Sequence, residues 1–265
     1  MSGKPVKAGR WVASALECGP MAPALSVVIP AYNEARRLPA TLARVREYLA
    51  GRGVAYEILV IDDGSSDGTA AVAGGAGETV RVLRHEPNRG KGYAVRRGML
   101  AAVGARRLMT DADLSTPIED LPKLEAGIDR GFDVAIGSRA VAGARIEVHQ
   151  PAYREAMGRA FNVLVQALLL PGLSDTQCGF KLFTVRAAEV AFGACRLDGF
   201  SFDVEALFVA RRRGLRIAEV PVVWRNDAAT RVGLGGGGAA FLDLLRIRLS
   251  ALRGDYGPAG GGEPT

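Results

Sequence analysis

Short, nearly continuous apolar runs alternate along this chain with stretches of helical periodicity, and that alternation limits the folds open to it. Leu25–Pro30, Glu57–Asp62, Val80–Arg84, Leu108–Thr110 and Asp133–Gly137 are the runs; Arg36–Leu49, Tyr93–Val103 and Ile118–Arg130 are the helical stretches between them. Runs this apolar belong to strands covered on both faces. Strands alternating with helices form a mostly parallel sheet with crossover helices. Thr116 is the expected N-cap of the third helix, with Pro117 in its first turn. After Arg139 the pattern loosens: residues 140–152 read as a loop and Tyr153–Leu170 as a helix. Strands are then expected at Gly179–Phe183 and Arg216–Pro221, with helices at Ala187–Phe192 and Val204–Arg213. There is no internal repeat and no second-domain linker, so the expectation is one α/β domain.

Composition narrows the function classes. The 265 residues are 48% hydrophobic and 23% charged, enough for a substantial core. The net charge of +6, carried mainly by arginine, suits phosphate or anionic lipid. No basic repeat with interleaved aromatics, helix-turn-helix or RNP pattern accompanies it, so nucleic acid is not an expected partner. Cys18, Cys178 and Cys195 are odd in number and lack C-x-x-C spacing, which fits a reduced, cytoplasmic setting. No run approaches the ~20 apolar residues that span a bilayer. The longest, within Phe161–Leu173, contains Asn162 and Gln166 and is broken by Pro171-Gly172. Lys4, Lys7 and Arg10 faintly suggest a signal peptide, but Glu17 and Pro20 interrupt the apolar patch that follows. Residues 1–22 are expected to be a disordered extension, or to reflect a start upstream of Met21.

The chemistry concentrates in loops at the C-terminal ends of the strands, where ligands bind in open α/β sheets. These are Pro30-Ala31-Tyr32-Asn33-Glu34, then Asp62-Asp63-Gly64-Ser65-Ser66-Asp67-Gly68-Thr69, then Asp111-Ala112-Asp113, with Asn88-Arg89-Gly90-Lys91-Gly92-Tyr93 between the last two. Carboxylates at i and i+2 can share a hard cation, Mg²⁺ or Mn²⁺, that holds a diphosphate. Other loops offer carboxylates for base or ribose, glycines for close backbone approach and a helix N-terminus for phosphate. Each has a plainer reading: Asp111 and Asp113 as a solvated pair, Asp67 as a helix cap, Lys91 as a solvated helix start. Three such loops at successive strand ends favour a nucleotide site. No G-x-G-x-x-G follows the first strand, which argues against a dinucleotide oxidoreductase.

This combination resembles the family 2 glycosyltransferases of GT-A fold, marked by V-V-I-P-x-Y-N-E, D-D-G-S-x-D-G-T and D-x-D. The resemblance runs from about Leu25 to about Arg248. It is similar above all to the dolichyl-phosphate β-glucosyltransferase branch and its prokaryotic polyprenyl-phosphate relatives, through Asn88–Gly98, Asp175–Thr184 (DTQCGFKLFT), Phe202–Leu207 and Ile217–Trp224. It implies a Rossmann-like, mostly parallel central sheet flanked by helices, with residues 23–232 as the catalytic domain. A glycine hinge and amphipathic helix at 233–255 and a disordered tail at 256–265 would follow.

The resemblance also implies roles. Pro30, Ala31, Tyr32 and Glu34 sit by the nucleoside, and Asp62 or Asp63 near the base. Lys91, Asp111 and Ala112 join the donor site, with Asp113 the more direct metal ligand beside Asp111. Arg139 meets an acceptor phosphate, helped by Arg154 and Arg231, while Asp175 and Gln177 line the sugar or acceptor side. Asp175 is the candidate base, unless the acceptor is a phosphate monoester, which arrives already nucleophilic with a second pKa of about 6. Two positions depart from the pattern: Ser115 stands where related mannosyltransferases often carry Gln, and Thr230-Arg231 replaces Ser-Lys.

The implied reaction is inverting, metal-dependent transfer of glucose from UDP-glucose to polyprenyl phosphate, by a protein peripheral on the cytosolic face of a membrane. Alternatives are GDP-mannose as donor, a soluble acceptor, or a non-catalytic nucleotide-sugar-binding scaffold. Asp203 and Glu205 either wall the sugar pocket or pair with Arg211–Arg213. His85 is expected to be structural, His149 is open to acceptor contact, and Cys178 is expected to pack beside the site. Phe241, Leu242, Leu244, Leu245, Leu249 and Leu252 share a helix face, which either lies on lipid or docks on its own domain or a dimer partner.

Overall fold

The computed structural model describes residues 22–226 and 236–257. In chain order the elements are β1 (Leu25–Ala31), α1 (Leu38–Gly51), β2 (Tyr56–Asp63), α2 (Thr69–Gly74), β3 (Val80–His85), α3 (Lys91–Ala101), β4 (Arg106–Thr110) and α4 (Leu121–Asp129). There follow β5 (Val134–Ser138), β6 (Arg145–Val148), α5 (Ala152–Leu168), β7 (Phe180–Thr184), α6 (Val185–Ala194), α7 (Phe202–Arg212), β8 (Ile217–Pro221), β9 (Val223–Arg225) and α8 (Gly236–Leu252).

Seven strands form the central sheet in the order β3-β2-β1-β4-β7-β5-β8. All pairings are parallel except those of β7, which runs antiparallel to both neighbours. Side chains alternate across the sheet as strand geometry requires. Val27 and Ile29 face a layer containing Leu38, Leu42 and Leu121, while Val28, Leu59 and Ile61 face one containing Val95, Met99 and Leu207. Strand order reverses between β1 and β4, and a crevice opens beyond their C-terminal ends at this switch point. Pro30 and Asp111 stand there.

The expected strands and helices are present with ends shifted by one or two residues, but three local expectations fail. Residues 140–152 are not all loop: exposed β6 pairs with β9, which the sequence reading also missed. With four and three residues, these strands are too short for their apolar positions, Ile146, Val148, Val223 and buried Trp224, to show a period. Thr116 does not cap a helix. Residues Ile118–Asp120 form a 3₁₀ turn before α4, because Pro122 has no N–H to bond the Ile118 carbonyl. Thr116 is buried instead, its Oγ1 3.5 Å from Cys178 Sγ. Finally, Gly236–Gly238, part of the expected hinge, lie in the first turn of α8. Residues 1–21 of the expected extension, Arg231 and the expected tail from Pro258 on lie outside the described residues; at the start of that tail Tyr256 is instead buried and bonds Glu205.

The leucine face of α8 divides. Leu244, Ile247 and Ala251 are buried in the core, while Leu242, Leu245, Leu249 and Leu252 are exposed. The helix therefore docks on its own domain by one stripe and presents a second outward.

Gly98 on α3 marks the tightest packing of helix on sheet. A methyl group there would overlap Val28 Cγ1 and lie 2.8 Å from Ile61 Cγ1. Gly98→Ala should destabilise the fold by about 1–3 kcal/mol through overpacking, despite alanine's better helix propensity. Urea unfolding should show a lower midpoint at unchanged m-value.

Candidate active site

A cleft of about 440 Å³ lies beyond β1, β2 and β4, lined by Pro30–Tyr32, Glu34, Arg37, Asp63, Asn88, Gly90, Lys91, Asp111–Asp113 and Phe200. Its first two loops brace each other. Asn33, at φ 55°, donates its backbone N–H to Ser65 Oγ (2.8 Å) and accepts from Ser66 N at Oδ1 (2.9 Å). Glu34 N donates to Thr69 Oγ1 at 2.8 Å, and the Glu34 carboxylate is gripped by Arg37 through Nε (2.7 Å) and Nη2 (2.6 Å). Asp67 accepts from Thr69 N (3.0 Å) at the start of α2 and from Ala35 N (3.2 Å), but the N-cap of α2 is Gly68, so Asp67 braces the two loops from one residue before the cap.

The two aspartates ending β2 differ. Asp62 is fully buried, accepts from Ser65 N (3.2 Å), lies 3.3 Å from Arg84 Nε and is absent from the cleft lining. Asp63 touches the cleft, but its carboxylate gathers Arg89 N (2.8 Å), Gly90 N (2.8 Å), Asn88 Nδ2 (2.9 Å) and His85 Nε2 (2.7 Å). It thereby holds the loop that delivers Lys91. His85 is structural, as expected. Gly64, at φ 72°, allows that loop to approach: a Cβ would stand 2.7 Å from Asn88 N.

Lys91 Nζ lies 2.7 Å from Asp111 Oδ1. Burial would depress the ammonium, but Asp111 and then Asp203 outweigh it and hold its pKa above the ordinary lysine value. Asp113 is raised, first by burial and then by repulsion from Asp111, with Ser115 and Lys91 offsetting only part. Asp111 owes its space to Gly179, where any Cβ would overlap its carboxylate; Gly179 O also accepts from Asp111 N (3.2 Å). The crowded, mutually repelling pair of hard oxygen donors fits a divalent cation completed by diphosphate and water. Among the described residues no cluster of three His, Cys, Asp or Glu side chains forms a ready-made cage.

A second cleft, of about 520 Å³, is lined by Arg139, Arg154, Arg159, Asn162, Gln166, Asp175, Gln177 and Trp224 among others. Arg139, just past β5, stacks its guanidinium 5.2 Å from the Trp224 ring centroid. Asp175 takes Arg139 N (2.9 Å) and Nε (2.7 Å) on Oδ2, and Arg139 Nη2 (2.9 Å) with Gln177 N (3.1 Å) on Oδ1. Burial would raise its pKa, but the charge and hydrogen bonds of Arg139 hold it below the usual carboxylate range. With both oxygens committed and its basicity lowered, Asp175 is poorly suited to proton abstraction.

Neither sequence reading of Asp203 and Glu205 describes them. Asp203 pairs with buried Lys181 at 2.6 Å. Glu205 accepts from Arg196 N (3.0 Å), Leu197 N (2.8 Å) and Tyr256 Oη (2.7 Å). His149 pairs with Glu155 (2.9 Å) and is not among the residues lining the second cleft. Cys178 is buried beside Thr116, its thiol pushed up to about 11, first by burial and then by Asp175. Sequence reading picked out the loop that begins at Asn88 but missed Arg37, Phe200 and Trp224. Trp224 fell within a quoted segment, but nothing in that segment shows which strand it faces.

The matching family model is "Glycosyl transferase family 2", over residues 26–192. The chain belongs to glycosyl transferase family 2. This family 2 chain is 37% identical over 249 residues to human "Dolichyl-phosphate beta-glucosyltransferase", covering 88% of this chain and 77% of the relative. The Saccharomyces cerevisiae protein of that name is 34% identical, with 88% and 76% covered. Among solved structures, mannosyl-3-phosphoglycerate synthase from Rubrobacter xylanophilus superposes with a TM-score of 0.68 at 20% identity, covering 91% of this chain and 79% of that one. Glucosyl-3-phosphoglycerate synthase from Mycobacterium tuberculosis, crystallised with Mn²⁺, uridine diphosphate and phosphoglyceric acid, gives 0.66 at 21%, covering 91% and 81%. The fold is GT-A, as the motifs implied, and the enzyme is a glycosyltransferase.

The Arg139–Asp175 pair has a pH signature. Because the native pKa of Asp175 is lowered, its stabilisation is complete above the unfolded value of ~3.9 and is lost as pH falls through the native value. The stability difference between wild type and Asp175→Asn should stay constant from about pH 7 to 5 and shrink below about pH 4. Urea titrations at each pH will measure it.

Proposed function

We propose that this enzyme transfers glucose from UDP-glucose to dolichyl or polyprenyl phosphate with inversion at C1. The carrying observation is the character of the second cleft: Arg139, Arg154 and Arg159 line it with two carboxylates, Asp175 committed to Arg139 and Glu155 paired with His149 and, at 3.8 Å, with Arg159. A hydroxyl acceptor would need a base there. A phosphate monoester needs only to be bound and aimed, since its second pKa of about 6 leaves it largely deprotonated at neutral pH, and guanidinium groups suit it. The names of the human and yeast relatives support the acceptor and the glucosyl group, and uridine diphosphate in the Mycobacterium neighbour supports the base.

In this reading the nucleoside lies by Pro30–Glu34 and Asp63, with its diphosphate towards Lys91 and Asp111–Asp113. Asp111 and Asp113 would hold Mg²⁺ or Mn²⁺, which when bound supplies positive charge to the departing diphosphate. Lys91, anchored by the Asp63-braced loop, adds a second positive group without reorganisation. Arg139, its plane set by Asp175 and Trp224, aims the acceptor oxygen at C1 from the face opposite the leaving group; Arg154 steadies the phosphate. Arg231 would complete the acceptor site. Asp175 orients Arg139 instead of acting as base.

Labelled sugar offered as UDP-glucose or GDP-mannose, with polyprenyl phosphate and Mg²⁺ or Mn²⁺, should yield chloroform-soluble product from UDP-glucose alone, abolished by EDTA. Asp113→Asn should lower turnover about 10²–10³-fold, the scale of losing one transition-state charge stabiliser. Product from GDP-mannose alone would reverse the donor assignment, and full activity in EDTA would remove the metal.

The exposed stripe of α8, with Arg246 and Arg248 on the same helix and Arg253 just past its end, supports a peripheral position on the cytosolic face of an anionic membrane. Among the described residues no helix is long and apolar enough to cross one. Removing α8 would strip Leu244 and Ile247 from the core, so exposed positions make the cleaner test. A Leu242→Gln, Leu245→Gln, Leu249→Gln triple variant should lose sedimentation with anionic vesicles while keeping UDP affinity. Retained sedimentation would exclude this stripe as the anchor.

A further inference from the structure

The segment from Leu169 to Gly179 carries Asp175 yet contains no helix or strand, so no backbone ladder fixes it. Glu219, in the middle of β8, substitutes for one. Its Oε2 accepts from Ser174 N at 2.7 Å and its Oε1 from Asp175 N at 2.9 Å. On the other side of the same peptide, Asn162 Nδ2 on α5 donates to Ser174 O at 2.6 Å. Glu219 is paired in register with Ile136 of β5, the strand that ends at Ser138 just before Arg139. Both members of the Arg139–Asp175 pair are thus referenced to one strand pair: Arg139 by chain continuity, Asp175 through the Glu219 carboxylate. Arg211, whose charge feels Glu219, spends its hydrogen bond on Pro171 O (2.6 Å) and leaves both carboxylate oxygens to the loop.

We infer that Glu219 is a positioning residue for the acceptor side, pinning the Ser174–Asp175 backbone so that Asp175 can fix the guanidinium plane of Arg139. This rests on the reading of the Arg139 cleft as the acceptor site. The chemistry calls for a carboxylate, because two consecutive N–H groups need two acceptors. Glutamine would offer one acceptor and set its NH₂ against the other N–H. A slackened Asp175 leaves the charge of Arg139 in place but lets its fork rotate, so bidentate capture of phosphate suffers while the donor cleft is untouched.

The test compares Glu219→Gln, Asp175→Asn, their double variant, Glu219→Asp and Arg139→Lys, reading UDP affinity, kcat and KM for polyprenyl phosphate. Glu219→Gln should keep UDP affinity within about twofold and raise acceptor KM roughly 10- to 150-fold, the worth of one charge-assisted hydrogen bond. Its kcat should fall much less. Glu219→Asp, which keeps both acceptor oxygens on a shorter stem, should recover part of the loss. The double variant should be no worse than Asp175→Asn alone, because Glu219 acts through Asp175. Multiplicative effects in the double variant would overturn the relay. So would loss of UDP affinity in Glu219→Gln, which marks a general structural role, or an unchanged acceptor KM in that variant while Arg139→Lys raises it. An acceptor KM unmoved by Arg139→Lys would instead bring down the acceptor reading of the cleft, and this inference with it.

Discussion

The site depends on one strand running the wrong way. β7 lies antiparallel between β4 and β5, so its N-terminal end meets the C-terminal ends of both. Asp111 leaves β4 there, Arg139 leaves β5 there, and the segment bearing Asp175, Gln177 and Gly179 enters β7 at the same edge. A parallel strand in that slot would carry this segment to the far edge of the sheet, about 15 Å away for five residues. Gly179 beneath Asp111 and Asp175 against Arg139 are the two contacts that follow directly from the reversal. They place the cleft of Lys91, Asp111 and Asp113 beside one lined by Arg139, Arg154 and Arg159.

Around that edge most acidic side chains are occupied with backbone. Asp63 takes two N–H groups of the loop before α3, Glu205 takes two from the loop before α7, and Glu219 takes two from the loop before β7. Each organises a segment that has no ladder of its own, and buried N–H groups must find such partners. The carboxylates of Asp111 and Asp113 are less fully committed: Asp111 meets Lys91, and Asp113 accepts from Ser115 N. Burial first, and repulsion from Asp111 second, raise Asp113 instead of lowering it. This contrast separates the pair suited to exchanging partners with a ligand from the acidic residues that build the walls.

Buried charge also links the layers. Lys181 on β7 pairs with Asp203 on α7, and Asp203 in turn raises Lys91 at the start of α3. Tyr256, just beyond α8, bonds Glu205, whose loop supplies Asp198 O to the N–H groups of Gly92 and Tyr93. The C-terminal segment and the Lys91–Asp111 cleft are therefore tied through a few hydrogen bonds, although none of the described residues of α8 lines that cleft.

Much of this was legible in the chain. Strand and helix periodicity determined the α/β class, because burial on both faces leaves a continuous apolar run and burial on one face leaves a helical stripe. The loops Pro30–Glu34 and Asp62–Thr69, Lys91 and the Asp111–Asp113 pair could be picked out because ligand-binding residues follow strand ends without interruption. The antiparallel sense of β7 was not legible, since a five-residue apolar run reads the same in either direction. Nor were the partners of Asp175, Asp203, Glu205 and Glu219: Arg139, Lys181, Tyr256 and Ser174 lie 36, 22, 51 and 45 residues away. The β6–β9 ribbon, with strands of four and three residues, was too short to show a period, and the leucines of α8 could not be sorted into docked and exposed from their spacing alone. Sequence by itself determined which residue types stand at which strand ends. Tertiary structure decided which of those charges neutralise one another and which remain for substrate, because pairing depends on strand direction and distance in space, and neither is encoded in local periodicity.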